Sequence, residues 1–100
     1  MVKQIKCDDP QLKDQVQQLL NFHLGSIDEL VDKLEMSVLH TEKRGDEPLY
    51  LCRVVVTDPR SGRLAVEERQ ADITLTVNRA LARIVRSLMR RQRNRNRHSI

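Results

Sequence analysis

Arg79, Arg83, Arg86 and Arg90 recur at the i, i+4, i+7, i+11 spacing that defines one face of an α-helix. At about 100° per residue they fall within a sector of roughly 60°. A guanidinium is planar, always charged, able to hold phosphate oxygens bidentately and able to stack on bases, which an ammonium does poorly. Such a ridge suits the binding of a polyanion. Four like charges at this spacing repel one another by roughly 0.2–0.5 kcal/mol per pair, and no Asp or Glu follows Asp72 to relieve them. A helix face kept only for solubility normally mixes acids among its bases. Arg91, Arg93, Arg95 and Arg97 extend the positive field toward the C-terminus.

The remainder of the chain has the opposite sign. Within 100 residues of net charge +4, residues 1–72 hold ten Lys or Arg against all fourteen acids, whereas residues 73–100 hold eight Arg and no acid. All the excess positive charge is therefore C-terminal, an asymmetry that directs one surface at phosphate.

Other chemistry is poorly supplied. His23, His40 and His98 fall on a helix end, a strand and the tail, and suggest no triad. The chain lacks an H-E-x-x-H pair, a Walker loop, a nucleophile elbow and a glycine-rich dinucleotide turn, and its three glycines leave little for a phosphate-cradling loop. Cys7 and Cys52 form neither a C-x-x-C pair nor a disulfide framework, and read as buried thiols. Asp8-Asp9 and Glu67-Glu68 read as a helix cap and as solvent-facing or structural strand residues. The one Phe and one Tyr, Phe22 and Tyr50, are too sparse for a base-stacking platform, so recognition should rest on backbone and shape. We expect no enzyme, metal, cofactor or small-molecule substrate. No apolar run approaches a membrane span and the N-terminus lacks the hydrophobic stretch of a signal peptide, which suggests a cytoplasmic protein.

The elements that must position the ridge can be read in order. Val2–Cys7 alternates as a short first strand. Asp9 can cap a helix opening at Pro10, with Leu12, Val16, Leu19, Leu20 and Phe22 to Leu24 as its apolar stripe. Gly25-Ser26 should interrupt it, and Ser26 with Glu29 suggests a capping box for a short helical turn using Ile27, Leu30, Val31 and Leu34. Glu35–Glu42 alternates as a second strand, Lys43–Pro48 is a polar turn, and Leu49–Thr57 is a third strand. Asp58-Pro59-Arg60-Ser61-Gly62 forms a tight connection to a fourth, Leu64–Gln70. Asp72 caps a long final helix whose Val77, Leu81, Ile84 and Leu88, with Ile73, face the sheet opposite the arginines.

The chain thus reads as one α+β domain over residues 1–92, β-α-β-β-β-α, with residues 93–100 a basic, disordered tail. Its four-stranded sheet should carry both helices on one face, a double-stranded-RNA-binding-like form. The candidate RNA-binding residues are Arg79, Arg83, Arg86, Arg90, Arg91 and Arg93.

This order of elements, together with Asp72 to Leu88, resembles the ribosome hibernation-promoting factor family, also described as sigma-54 modulation or ribosome-associated inhibitor proteins. In that family the last helix opens with Asp and later carries basic residues, and Arg83 and Arg86 match the basic positions. Thr74 replaces the usual aromatic and Thr76 the usual Ala. The first helix, with Lys13 its only Lys or Arg, is less positive than is common there. The resemblance implies a factor that binds rRNA of the small ribosomal subunit near the decoding region and blocks access of messenger and transfer RNA. The chain ends where long family members continue into a dimerisation domain, so it resembles a short member, with oligomeric state and ribosome pairing left open. Two other readings stay open on the residues alone: a general binder of structured RNA, and a protein interaction module whose basic helix docks an acidic partner.

Overall fold

The computed structural model describes residues 2–25, 31–44, 47–58 and 62–98. Its elements are β1 (Val2–Cys7), α1 (Pro10–Leu24), β2 (Lys33–Arg44), β3 (Glu47–Asp58), β4 (Gly62–Gln70) and α2 (Ile73–His98). Both helices start where local chemistry says they should. The backbone of Asp9 is extended and its Oδ1 accepts the Gln11 amide at 3.0 Å, with Pro10 at the first helical position. Asp72 does the same for α2, its Oδ1 accepting the Leu75 amide at 3.0 Å while its carbonyl accepts the Thr76 amide at 3.0 Å.

The four strands lie in chain order, β1 parallel to β2 and the other pairs antiparallel. A helical crossover is needed to make β1 and β2 parallel, and α1 provides it. In β2 the residues Leu34, Met36 and Val38 are buried, and they pair across to Val56, Val54 and Cys52 of β3. Opposite residues share a face, so these six side chains and Val66 of β4 form the floor beneath the helices. From above, α1 contributes Val16, Leu20 and Leu24, and α2 contributes Val77, Ala80, Leu81, Ile84 and Leu88. Each such Leu or Val stabilises the fold by about 1.5–3 kcal/mol on burial. α1 packs against β1 and against α2, and α2 covers β3 and β4. The α+β class, the single helical layer and the apolar stripe of α2 are as the periodicity suggested.

Several expectations need correction. Leu34 belongs to β2, where it pairs with Val56 and is fully buried. Its spacing from Ile27, Leu30 and Val31 suits a helical turn, but Leu34, Met36 and Val38 also alternate, and pairing with both β1 and β3 selects the strand. The Ser26–Glu29 capping box lies outside the described residues, as does Pro59 to Ser61 of the last turn. That turn closes with Asp58 opposite Gly62, whose φ of 79° is the left-handed conformation glycine tolerates best. Strands β2 and β3 reach to Arg44 and from Glu47, so pairing invades the polar segment expected as a turn. Helical backbone in α2 continues to His98, beyond the boundary at residue 92 and through much of the segment expected to be irregular.

Phe22 is the largest departure. Its neighbours in sequence place it in the core stripe of α1, yet it is 82% exposed. The helical wheel explains this: Phe22 sits roughly 240° from Val16, far from the sector shared by Leu20 and Leu24.

Candidate nucleic-acid interface

The site is built on α2 because the same helix that buries Val77, Ala80, Leu81, Ile84 and Leu88 must turn its opposite face outward. Arg79, Arg83, Arg86, Arg90 and Arg93 are all exposed. The ridge read from spacing is therefore a real surface, with Arg93 continuing it at the C-terminal end. Arg91 is half-buried instead; it lies roughly 110° around the helix from the centre of the ridge, toward the core side.

The members of the ridge are not equivalent. Arg83 Nη1 donates to the carboxylate of Glu68 at 2.8 Å and to the Glu67 carbonyl at 2.9 Å. Glu68 pairs with Cys52 across β3 and β4, and so stands on the helix-bearing face of the sheet, while its neighbour Glu67 turns to the other face and meets Arg53 at 3.8 Å. The Arg83 hydrogen bond, a second one from Gln70 Nε2 and the charges of Arg83 and Arg79 hold the Glu68 carboxyl below the usual carboxylate range, against a smaller opposing effect of burial. This acid partly offsets the like-charge repulsion that the sequence of α2 leaves uncompensated. By contrast Arg79, Arg86, Arg90 and Arg93 make no hydrogen bond or ion pair with any described residue, although Arg79 is near enough to Glu68 to influence its carboxyl.

Two side-chain links set the helices side by side. Gln15 Nε2 donates to Thr74 Oγ1 at 2.6 Å, and His23 Nε2 donates to Asn78 Oδ1 at 2.9 Å. Residues early and late in α1 thus meet successive turns of α2, so the helices run in the same direction. Because α1 has 15 residues and α2 has 26, α2 runs on past the end of its neighbour. At that step lies a groove of about 430 Å³ lined by His23, Ala82, Val85, Met89 and the side chains of Arg86, Arg90 and Arg93. Met89 is 42% exposed there, and the Phe22 ring stands edge-on to His23 with centroids 5.5 Å apart.

From sequence, His23 reads as a lone helix-end histidine and Phe22 as part of the core stripe, and nothing marks Met89. The wheel position of Phe22 was the available signal; the groove itself depends on two helices of unequal length and has no signature in either alone. Glu68, expected to be solvent-facing or structural, is structural, and only strand register brings it to α2.

Remaining candidates for chemistry stay apart. Cys52 is buried beneath the helices, and burial, with the nearby Glu68 charge, pushes its thiol up to about 12. Cys7 is half-buried at the end of β1, where its Sγ donates to the Asp9 carbonyl. His40 stacks obliquely on Tyr50 at 5.1 Å, and its amide donates to Asp8 at 2.9 Å, which extends the β1–β2 ladder by one side chain. Among the described residues there is no cluster of three His, Cys, Asp or Glu arranged to hold a metal, and no helix long and apolar enough to cross a membrane.

No family model matches the sequence, and no curated protein matches it by sequence comparison. Solved structures do match its shape. A ribosomal subunit interface protein from Coxiella burnetii superposes with a TM-score of 0.72 at 14% identity, over 92% of this chain and 98% of the other. The N-terminal domain of Protein Y from Thermus thermophilus gives 0.61 at 20% identity, over 90% and 98%. The likeness extends over nearly the whole of each solved chain, and this chain has the fold of a ribosomal subunit interface protein.

Proposed function

We propose that this protein is a ribosome-associated factor of the hibernation-promoting type, acting in the cytoplasm, whose α2 ridge binds rRNA of the small subunit near the decoding region. The observation that carries the reading is the arginine face of α2, acid-free along its own helix and turned fully outward by the burial of the opposite face. The fold shared with a ribosomal subunit interface protein supports it independently. Arg86, Arg90 and Arg93 would contact phosphate directly, with Arg79 beside them and Arg83 both fixing the helix to β4 and adding to the field. In this reading the mechanism is steric: a rigid domain held on the RNA that messenger and transfer RNA need leaves them no room. Nothing has to be cleaved or transferred in this reading.

Sedimentation with purified ribosomal subunits through sucrose gradients, at low and moderate salt and with duplex RNA as competitor, tests this directly. Saturable co-migration with the small subunit that survives competitor is expected, and should be lost when Arg79, Arg83, Arg86 and Arg90 are all replaced by Gln. Protein that stays at the top of the gradient, or is carried off by any duplex, would overturn the ribosomal assignment. Unchanged co-migration of the fourfold variant would remove the ridge.

A further inference from the structure

The groove at the step between α1 and α2 combines two features that a plain phosphate-binding ridge does not need. Its floor is apolar, formed by Ala82, Val85 and the 42% exposed Met89, and its rim carries Arg86, Arg90 and Arg93 with no acid among the lining residues. One wall is the His23 ring, fixed by its hydrogen bond to Asn78 and backed by the exposed Phe22 ring. Leaving Phe22 and Met89 in water forgoes the stabilisation burial would give, so the place where they gather invites an apolar surface. The three guanidiniums require that surface to be attached to an anion. At about 430 Å³ the groove has room for a group the size of a nucleotide.

We infer that this groove receives a single unpaired nucleotide of the bound RNA. The base enters over Ala82, Val85 and Met89 beside the His23 ring, and the flanking phosphates lie on Arg86, Arg90 and Arg93. A flat, weakly polar base with a phosphate on either side matches an apolar floor between cations. An acidic peptide would bring carboxylates without a planar group, and an acyl chain would want a closed channel without the charge. The inference rests on the RNA-binding reading of the ridge and adds to it a preference for distorted over regular helical RNA.

The test compares two RNA hairpins of the same stem, one carrying a single-nucleotide bulge, by fluorescence anisotropy across a salt series. The wild-type chain should bind the bulged stem about tenfold more tightly, the scale of one stacked base. Ala82→Phe fills the floor from an exposed helix position, and Met89→Ser removes its apolar edge. Both should abolish the preference while retaining affinity and salt dependence on the unbulged stem. Equal, salt-dependent binding of both stems by the wild type, or a preference that survives both variants, overturns the groove and leaves the ridge standing. Binding of neither stem by a chain that still co-migrates with the small subunit overturns the groove alone; binding of neither stem nor the subunit removes the ridge reading with it.

Discussion

The two helices lie on the same face of the same sheet and bury equivalent stripes, yet their outer faces differ completely. In α1 that face carries Gln11, Asp14, Gln15, Gln18 and Asn21 around the exposed Phe22; in α2 it carries Arg79, Arg83, Arg86, Arg90 and Arg93. Packing demands the same of both, so the difference cannot come from the core. A neutral amide face is sufficient to solvate a helix. An arginine face without acids of its own carries repulsion, and the sheet answers it where Glu68 meets Arg83. The lesson is that the buried faces specify the fold while the outer face of α2 is free to specify a partner.

That contrast can be broken most severely through the core. Leu20→Ala in α1 and Leu81→Ala in α2 both remove fully buried side chains, and each should cost about 2–5 kcal/mol in urea unfolding. A marked asymmetry between them would mean that the helices are not equivalent as structural elements. Next in size is the ridge: Arg86→Gln, Arg90→Gln and Arg93→Gln together should reduce the slope of log affinity against log salt by about two units for RNA, with the thermal midpoint little changed. Replacing exposed Gln17 and Gln18 of α1 by Ala should alter neither quantity.

The caps offer a finer comparison. Asp9→Ala and Asp72→Ala should each destabilise by about 1 kcal/mol, measured by the same unfolding curves, because each removes an acceptor from an orphan amide. The smallest effect should come from Glu68→Gln. Its partner Arg83 is 55% exposed, so the pair contributes less than about 1 kcal/mol. RNA affinity should rise slightly as Arg83 is released. Because the Glu68 carboxyl is held below its unfolded value, its contribution is present above the usual carboxylate range and is lost as pH falls through the folded value. The difference between wild type and Glu68→Gln should therefore vanish in acid; a difference that persists there would assign Glu68 a role other than ion pairing. Thiol labelling gives an independent check on the floor: Cys52 should react only on unfolding, since its thiol is buried and pushed up to about 12, whereas half-buried Cys7 should react in the native state.

Much of this was legible in the chain before any coordinates. Asp9-Pro10 and Asp72 mark helix starts by chemistry that acts within one turn, and the stripe Val77, Leu81, Ile84, Leu88 places the arginines outward by geometry alone. These properties are local, so sequence determines them. The exposure of Phe22 is equally local, since its wheel position opposite Leu20 and Leu24 turns the ring outward whatever its apolar neighbours suggest.

Other features were decided by contacts between distant residues. Leu34 satisfies a helical and an alternating pattern at once, and only its partners Lys3 and Val56 choose between them. Glu68 could face either side of an edge strand until the register of β4 against β3 set it beneath Arg83. The groove exists because a short helix and a long one were laid parallel on a common sheet. Sequence by itself determined where the charge is and which way it points; the tertiary structure decided which arginines are left unpaired and what apolar surface they surround, because both depend on side chains that meet only after the sheet has formed.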